Sequence, residues 1–123
     1  MINKIVLVFS ATFGMLAIIL GAFAAHALKK KLNKNQIKSF ETGVKYQMYH
    51  AIVLLVIGMN LPSVSSSLAF CFILGTFLFS FSIYGLVLSE YKKRKLRFLG
   101  PITPIGGLLL TIGWALLLFN FLN

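Results

Sequence analysis

The sequence has little charge for its length, and almost none of that charge is negative. Of its 123 residues only 11% are charged, and two glutamates stand against 12 lysines and arginines. In soluble domains about a quarter of the residues are charged. The chain is also 59% hydrophobic, with a mean hydropathy of +0.91. This composition excludes an ordinary soluble domain and predicts an integral membrane protein built from helices.

Cysteine is scarce as well, since the chain contains only Cys71, which lies within an apolar run. One cysteine excludes an internal disulfide, and no cysteine–histidine spacing typical of a metal site occurs. We therefore expect no metal and no cofactor, and we interpret Cys71 as a small buried packing residue. No nucleophile–base pair or phosphate-binding loop is present, so an enzyme is the less favoured class.

Long apolar runs are what the chain has in abundance. A helix needs about 20 residues to cross a bilayer, at a rise of about 1.5 Å per residue. The predicted spans cover about residues 5–28, 40–60, 68–89 and 102–121, and the second helix begins near residue 36 at the membrane interface. The predicted fold is all-α and integral to the membrane: a compact four-helix transmembrane bundle of two antiparallel hairpins, forming one domain over residues 1–123.

Residues with capping side chains mark the predicted starts of the second and fourth helices. Asn33 or Asn35 can accept a hydrogen bond from the free N–H groups at the start of the second helix. Thr103 is expected to cap the fourth helix, with Pro104 at its first position, where a missing N–H costs nothing.

The positive charges are concentrated in the two connectors of the predicted hairpins. Residues 29–45 carry six lysines and one glutamate, and residues 90–97 carry five lysines or arginines and one glutamate. The turn over residues 60–67 carries no charge. By the positive-inside rule, both connectors lie in the cytoplasm and both chain ends lie outside it.

Cations that flank apolar spans indicate contact with lipids and not with nucleic acid, which would need a soluble module. The second and fourth helices both begin beside these cations, and helix N-termini attract anions. The candidate contacts for anionic headgroups are Lys29, Lys30, Lys31, Lys92, Lys93, Arg94, Lys95 and Arg97. The positive-inside rule alone accounts for the same charges, so topology and lipid recognition stand as alternative interpretations. We expect membrane lipids as partners, with a second copy of the chain as a further candidate.

The second helix separates into two polar sides at about 100° per residue. Glu41 and Lys45 lie on one side with the spacing of an i,i+4 pair, and we interpret them as an interfacial ion pair. Facing the bundle on the other side are Gly43, Tyr46, Gln47 and His50. His26, near the end of the first helix, is expected at a similar depth, so these five residues form a candidate polar cluster on the cytoplasmic half.

Three interpretations of this cluster compete. It is a structural set of hydrogen bonds between helices, or a site that handles a proton or a ligand, since histidine titrates near neutral pH. The third is ligation of haem or metal by His26 and His50, although two histidines without a nearby cysteine or second carboxylate make a poor zinc set. The leading function is thus a small non-enzymatic inner-membrane protein that binds a lipid or small molecule at the cluster. The alternative is a subunit of an oligomeric transporter or channel, and a haem- or metal-binding membrane protein is third.

Four sequence segments resemble a known family when taken in order. They are Gly21–Leu28, Phe40–Ala51, Gly75–Ser80 followed by Tyr84, and Gly100–Gly107 followed by Gly113 and Trp114. Together they resemble the domain of unknown function 423 family of small bacterial membrane proteins, and the resemblance extends over nearly the whole chain. The resemblance implies a multi-pass protein of the bacterial cytoplasmic (inner) membrane, with related proteins in eukaryotes. It supplies no activity, because none is established for the family.

Overall fold

The computed structural model describes residues 1–123, and all of its regular structure is helical. Its long helices are α1 (Ile2–Ala25), α2 (Lys34–Asn60), α3 (Ser66–Tyr91) and α4 (Ile102–Leu122). A single π-helical turn, Phe77–Phe81, interrupts the α-helical hydrogen bonds of α3. A short 3₁₀ turn, Arg97–Leu99, comes before α4.

Local hydrogen bonds explain where α2 begins and show that α4 begins differently from the prediction. The side chain of Asn33 accepts from Gln36 N at 2.8 Å, while Gln36 Oε1 accepts from Asn33 N at 3.0 Å. This capping box starts α2 at Lys34. The prediction that Thr103 caps α4 is wrong, because α4 begins at Ile102 and the Thr103 hydroxyl is hydrogen-bonded to Ser82 instead.

Small residues allow α1 and α2 to pack closely in opposite directions. A β-carbon built on Gly14 would lie 3.9 Å from Ala51 Cβ, and one on Gly21 would lie 3.5 Å from Val44. At the far end of the pair, Asn3 Nδ2 donates to the carbonyl of Gly58 at 3.1 Å. These contacts set the register of α2 against α1, with the middle of one helix beside the middle of the other.

Glycines also bring α3 and α4 together. A β-carbon on Gly106 would lie 2.4 Å from the backbone nitrogen of Phe79, so the two backbones touch at the π turn. Gly113 similarly lies under the ring of Phe72, which is fully buried. Such close approach replaces the hydrophobic driving force that is missing between helices in a membrane.

The outer surface is apolar over most of the length of three helices. α1, α3 and the segment Arg97–Leu122 are each long and apolar enough to cross a membrane by length and composition. α2 carries four charged residues in its first half, which are Lys34, Lys38, Glu41 and Lys45. The chain is therefore an all-helical membrane protein in which α2 is the most polar helix.

Candidate functional site

The inner side of α2 forms a hydrogen-bonded core between the other helices. Gly43, Gln47 and His50 are all buried there, at the spacing of three and four residues that one helix face requires. We call this set, its direct hydrogen-bond partners and Ser10, which bonds to the carbonyl of Ala51 next to His50, the polar core. Each of the other three long helices contributes at least one of the partners.

Gln47 is the centre of the polar core and has no exposed surface (0%). Its Nε2 donates to the carbonyl oxygen of Phe13 in α1 at 2.9 Å. Its Oε1 accepts from the hydroxyl of Tyr84 in α3 at 2.7 Å. One amide thus joins three helices, and both ends of the amide have partners.

His50 is held at both ring nitrogens. Its Nδ1 lies 2.8 Å from the carbonyl oxygen of Tyr46, and Trp114 Nε1 in α4 donates to its Nε2 at 3.1 Å. An indole N–H can only donate, so Nε2 accepts and the proton is on Nδ1, where it donates to the Tyr46 carbonyl. This arrangement holds the imidazole neutral and in one tautomer.

Two serines complete the polar core by donating to carbonyl oxygens of α2. Ser80 Oγ, in the π turn of α3, donates to Gly43 O at 2.7 Å. Ser10 Oγ in α1 donates to Ala51 O at 2.7 Å. Both serines are buried, so in a membrane each hydroxyl would otherwise lack a partner.

The polar core extends from the basic half of the bundle, where Val44 next to Gly43 packs on Gly21, to the middle, where Gln47 bonds to Phe13. Phe13, the partner of Gln47, is the twelfth of the 24 residues of α1. Tyr46 contributes its carbonyl, but the residue is 41% exposed, and its ring packs against Phe79 with ring centres 4.9 Å apart. Lys45 extends from the outer, exposed side of α2 and does not mark the depth of the core.

His26 is not part of the polar core, so the predicted pairing of the two histidines is wrong. His26 is exposed and follows the last residue of α1, Ala25. Ala25 lies eleven residues beyond Gly14, which faces Ala51 at the level of His50, and this is about 17 Å of helix. The two histidines therefore cannot ligate one haem or one metal ion. No group of three or more metal-ligating side chains occurs elsewhere.

Sequence reasoning missed four partners in the polar core: Ser10, Ser80, Tyr84 and Trp114. Their own polarity within apolar helices was the available indication, because a polar group at membrane depth needs a partner. The side-chain polar atoms of Gln47, His50, Ser10 and Ser80 each have a hydrogen-bond partner within the protein, so a ligand would have to compete with these bonds. A transport pathway past His50 would require these contacts to open.

Two grooves with polar and charged lining residues lie at the end of the bundle that carries the basic connectors. A groove of about 490 Å³, which we call the interfacial groove, is bounded by the start of α2, the end of α3 and the start of α4. Its lining residues are Ser39, Ile83, Leu86, Val87, Glu90, Lys95, Gly100, Thr103 and Pro104. Because Ser39 and Lys95 share this groove, the two basic connectors lie at the same end.

The connector beside the interfacial groove has a defined conformation. Ser89 Oγ accepts from Leu96 N at 3.1 Å, and Ser89 O accepts from Arg94 N at 2.9 Å. The side chain of Leu99 then fills the space above Gly85, where a β-carbon would lie 2.6 Å from it. These contacts fix the path of the chain on both sides of Lys95.

The remaining basic residues of the two connectors are exposed around the same end. A second groove of about 360 Å³, which we call the lysine groove, is lined by Lys29, Leu32, Lys34, Ile37, Lys38 and Glu41. The exposed residues outside both grooves include Lys30, Lys31, Lys92, Lys93, Arg94 and Arg97. Glu41 and Lys45 are both exposed on the outer side of α2, and their pairing stays a prediction.

Fold and site together define a small helical membrane protein with a closed polar core and a basic end. The chain belongs to the family described as "Protein of unknown function (DUF423)", whose sequence model matches residues 20–107. This confirms the family indicated by the four sequence segments.

Three relatives are similar to the chain over nearly their whole lengths. A UPF0382 membrane protein of Staphylococcus epidermidis is 38% identical, covering 98% of this chain and 97% of its own. The UPF0382 inner membrane protein YgdD of Escherichia coli K12 is 35% identical, covering 96% and 89%. A UPF0382 membrane protein of Schizosaccharomyces pombe is 37% identical, covering 89% and 94%. No solved structure matches the chain.

Proposed function

We propose that all four long helices span the bacterial cytoplasmic membrane, with both connectors in the cytoplasm and both chain ends outside. Support comes from the charges, because both basic connectors lie at one end of the bundle. α2 can lie at membrane depth despite its polar residues, since Gln47 and His50 have their partners inside the bundle. Its charged residues lie on the outer side near the basic end, where long side chains can reach the headgroups.

At this basic end, we propose, the protein binds phospholipid headgroups in the interfacial groove and catalyses no reaction. The observation that carries this proposal is the groove itself, which combines polar groups from three helices with an apolar wall from α3. It opens at the level of the basic connectors, where headgroups lie in the proposed orientation. The polar core then serves as the scaffold that holds these helices in place.

This proposal moves the ligand from the polar core to the membrane interface. In the core, the side chains of Gln47 and His50 already bond to protein groups, so a ligand would have to break those bonds. In the interfacial groove, Glu90 and Lys95 are exposed and can meet an incoming headgroup without rearrangement.

Native mass spectrometry of the protein released from lipid nanodiscs tests the proposal. We expect the wild type to retain phospholipid and Lys95→Gln to retain several-fold less. The matched control is Lys92→Gln, which removes the same charge from the same connector but does not line the groove. Equal lipid retention by the wild type and both variants would contradict the proposal. The basic residues of the connector would then serve only to set the topology.

A further inference from the structure

We propose that the interfacial groove selects a phospholipid whose headgroup carries an ammonium as well as a phosphate, such as a phosphatidylethanolamine. This inference rests on the proposed lipid-binding function and specifies the headgroup. Glu90 would take the ammonium and Lys95 the phosphate. The two residues line the same groove and belong to the end of α3 and to the connector that follows it.

The position of Glu90 argues for an ammonium group in the ligand. The chain has only two acidic residues, and one of them lines this groove amid five lysines and arginines over residues 90–97. A headgroup with a phosphate and no cation would bring its negative charge beside the Glu90 carboxylate. Like charges within one groove oppose binding, whereas an ammonium turns the same carboxylate into a favourable partner.

The apolar wall of the groove argues for a lipid and against a free, water-soluble phosphate ester. Ile83 and Leu86 lie on the same side of α3 as Glu90 and line the same groove. From Glu90 back to Ile83 the helix covers seven residues, or about 10 Å toward the middle of the bundle. A headgroup at Glu90 would thus place the start of an acyl chain against these apolar side chains.

The folded connector supplies a reason for selectivity. Ser89 holds both Arg94 N and Leu96 N through hydrogen bonds, so the residue between them has a fixed backbone position. The backbone of Lys95 is thereby held close to the end of α3, so the Lys95 ammonium stays within one side-chain length of this position. Two opposite charges on one groove suit a ligand that carries the complementary pair.

The test compares headgroups directly. Wild type and variants are reconstituted in nanodiscs with equal amounts of phosphatidylethanolamine and phosphatidylglycerol, and the lipid retained after release is identified by native mass spectrometry. We expect the wild type to be enriched in phosphatidylethanolamine. Glu90→Gln should reduce this enrichment about threefold to fivefold, which is the size expected for one interfacial ion pair. Glu90→Asp, which keeps the charge, should retain part of it.

The matched control is Glu41→Gln, which removes the other acidic residue of the chain from the lysine groove and should leave the enrichment unchanged. Soluble phosphoethanolamine, added to the lipid-bound protein, should not displace the lipid. Displacement at low concentration would show that the groove binds the ester without its chains and would overturn the lipid assignment.

The outcomes separate this inference from the proposed function. If Lys95→Gln loses lipid while Glu90→Gln keeps the wild-type headgroup ratio, lipid binding stands and ammonium selection is overturned. A wild type enriched in phosphatidylglycerol overturns the selection as well. A wild type that retains no phospholipid overturns both. Thermal unfolding of each variant shows whether it is folded. If Glu90→Gln is not folded, the headgroup ratio of Glu90→Asp is compared with that of the wild type instead.

Discussion

The indole N–H of Trp114 donates to Nε2 of His50 across 3.1 Å and joins α4 to α2 in the middle of the bundle. The apolar surroundings offer no hydrogen-bond partner, so this bond satisfies both the indole N–H of Trp114 and the imidazole Nε2 of His50. Trp114 is 48% exposed on the outside of α4, yet its polar atom faces inward. It is also the only tryptophan of the chain, so the tryptophan fluorescence reports on the surroundings of this one indole.

Replacing His50 is expected to change the fluorescence of Trp114. His50→Phe removes the acceptor and leaves the indole N–H without a partner, so the emission should shift to the blue as the indole loses its hydrogen bond. Emission spectra of the purified protein in one detergent measure this shift. The matched control is His26→Phe, which changes the other histidine at the end of the bundle and should leave the spectrum as in the wild type. A shift caused by His26→Phe, or none by His50→Phe, contradicts the contact.

The central amide gives a second prediction, about stability. Gln47→Leu leaves the Tyr84 hydroxyl buried without its acceptor, and we expect a loss of about 1–3 kcal/mol in the free energy of unfolding. Tyr84→Phe leaves Gln47 Oε1 without its donor and should cost a similar amount. The double variant should lose less than the sum of the two, since both partners of one hydrogen bond are then gone. Thermal unfolding of the four proteins completes this double-mutant cycle, and strict additivity would show that the pair is not coupled.

The composition of the polar face was predictable from helical spacing. A rotation of about 100° per residue separates Gly43, Gln47 and His50 from Glu41 and Lys45, and no tertiary information is needed for that. The depth of the face was not predictable in the same way. A charged residue such as Lys45 does not fix the depth of its helix, because a long flexible side chain reaches the headgroups from well inside the bilayer.

The register between helices explains the other differences. Glycine and alanine contacts, such as Gly14 with Ala51, decide which residues of α1 lie beside His50, and these pairings are invisible to the periodicity of either helix alone. The same holds for the partners Ser80 and Trp114, which belong to other helices. Thr103 differs for the same reason. Its local sequence favours a cap at the start of α4, but its hydroxyl is hydrogen-bonded to Ser82 of the neighbouring helix α3 instead.

The close approach of α3 and α4 gives a third prediction. A β-carbon at Gly106 would meet the backbone of Phe79, which cannot move aside as a side chain can. Gly106→Ala is therefore expected to lower the midpoint of thermal unfolding strongly, by a free energy of about 1–3 kcal/mol. The neighbour Gly107 has room, with the nearest atom 3.7 Å from its built β-carbon. Gly107→Ala should be neutral or slightly stabilising through helix propensity. If both variants unfold alike, the two helices do not pack as described.

A buried hydroxyl beside the π turn gives a fourth prediction, which is a gain in stability when the hydroxyl is removed. Thr76 is fully buried (0% exposed) and its Oγ1 has no hydrogen-bond partner. Thr76→Val keeps the branched shape and removes the unpaired hydroxyl, so we expect the free energy of unfolding to rise by about 1 kcal/mol. Thr111→Val is the control, because the Thr111 hydroxyl donates to Gly107 O at 2.9 Å on the exposed side of α4. A destabilised Thr76→Val would reveal a partner for this hydroxyl.

The proposed orientation can be tested by labelling introduced cysteines, because the chain has only one native cysteine. Cys71→Ser removes the only thiol, which is buried, and gives a background without reactive cysteine. New cysteines are then placed one at a time at Ser63, Lys92 and Asn123 and treated in intact cells with a maleimide that cannot cross the membrane. Ser63→Cys and Asn123→Cys should react at once, because the uncharged turn and the chain end lie outside the cytoplasm in the proposed topology. Lys92→Cys should react only after the cells are permeabilised. The opposite pattern of labelling would invert the topology, and it would place the interfacial groove among the headgroups of the outer leaflet.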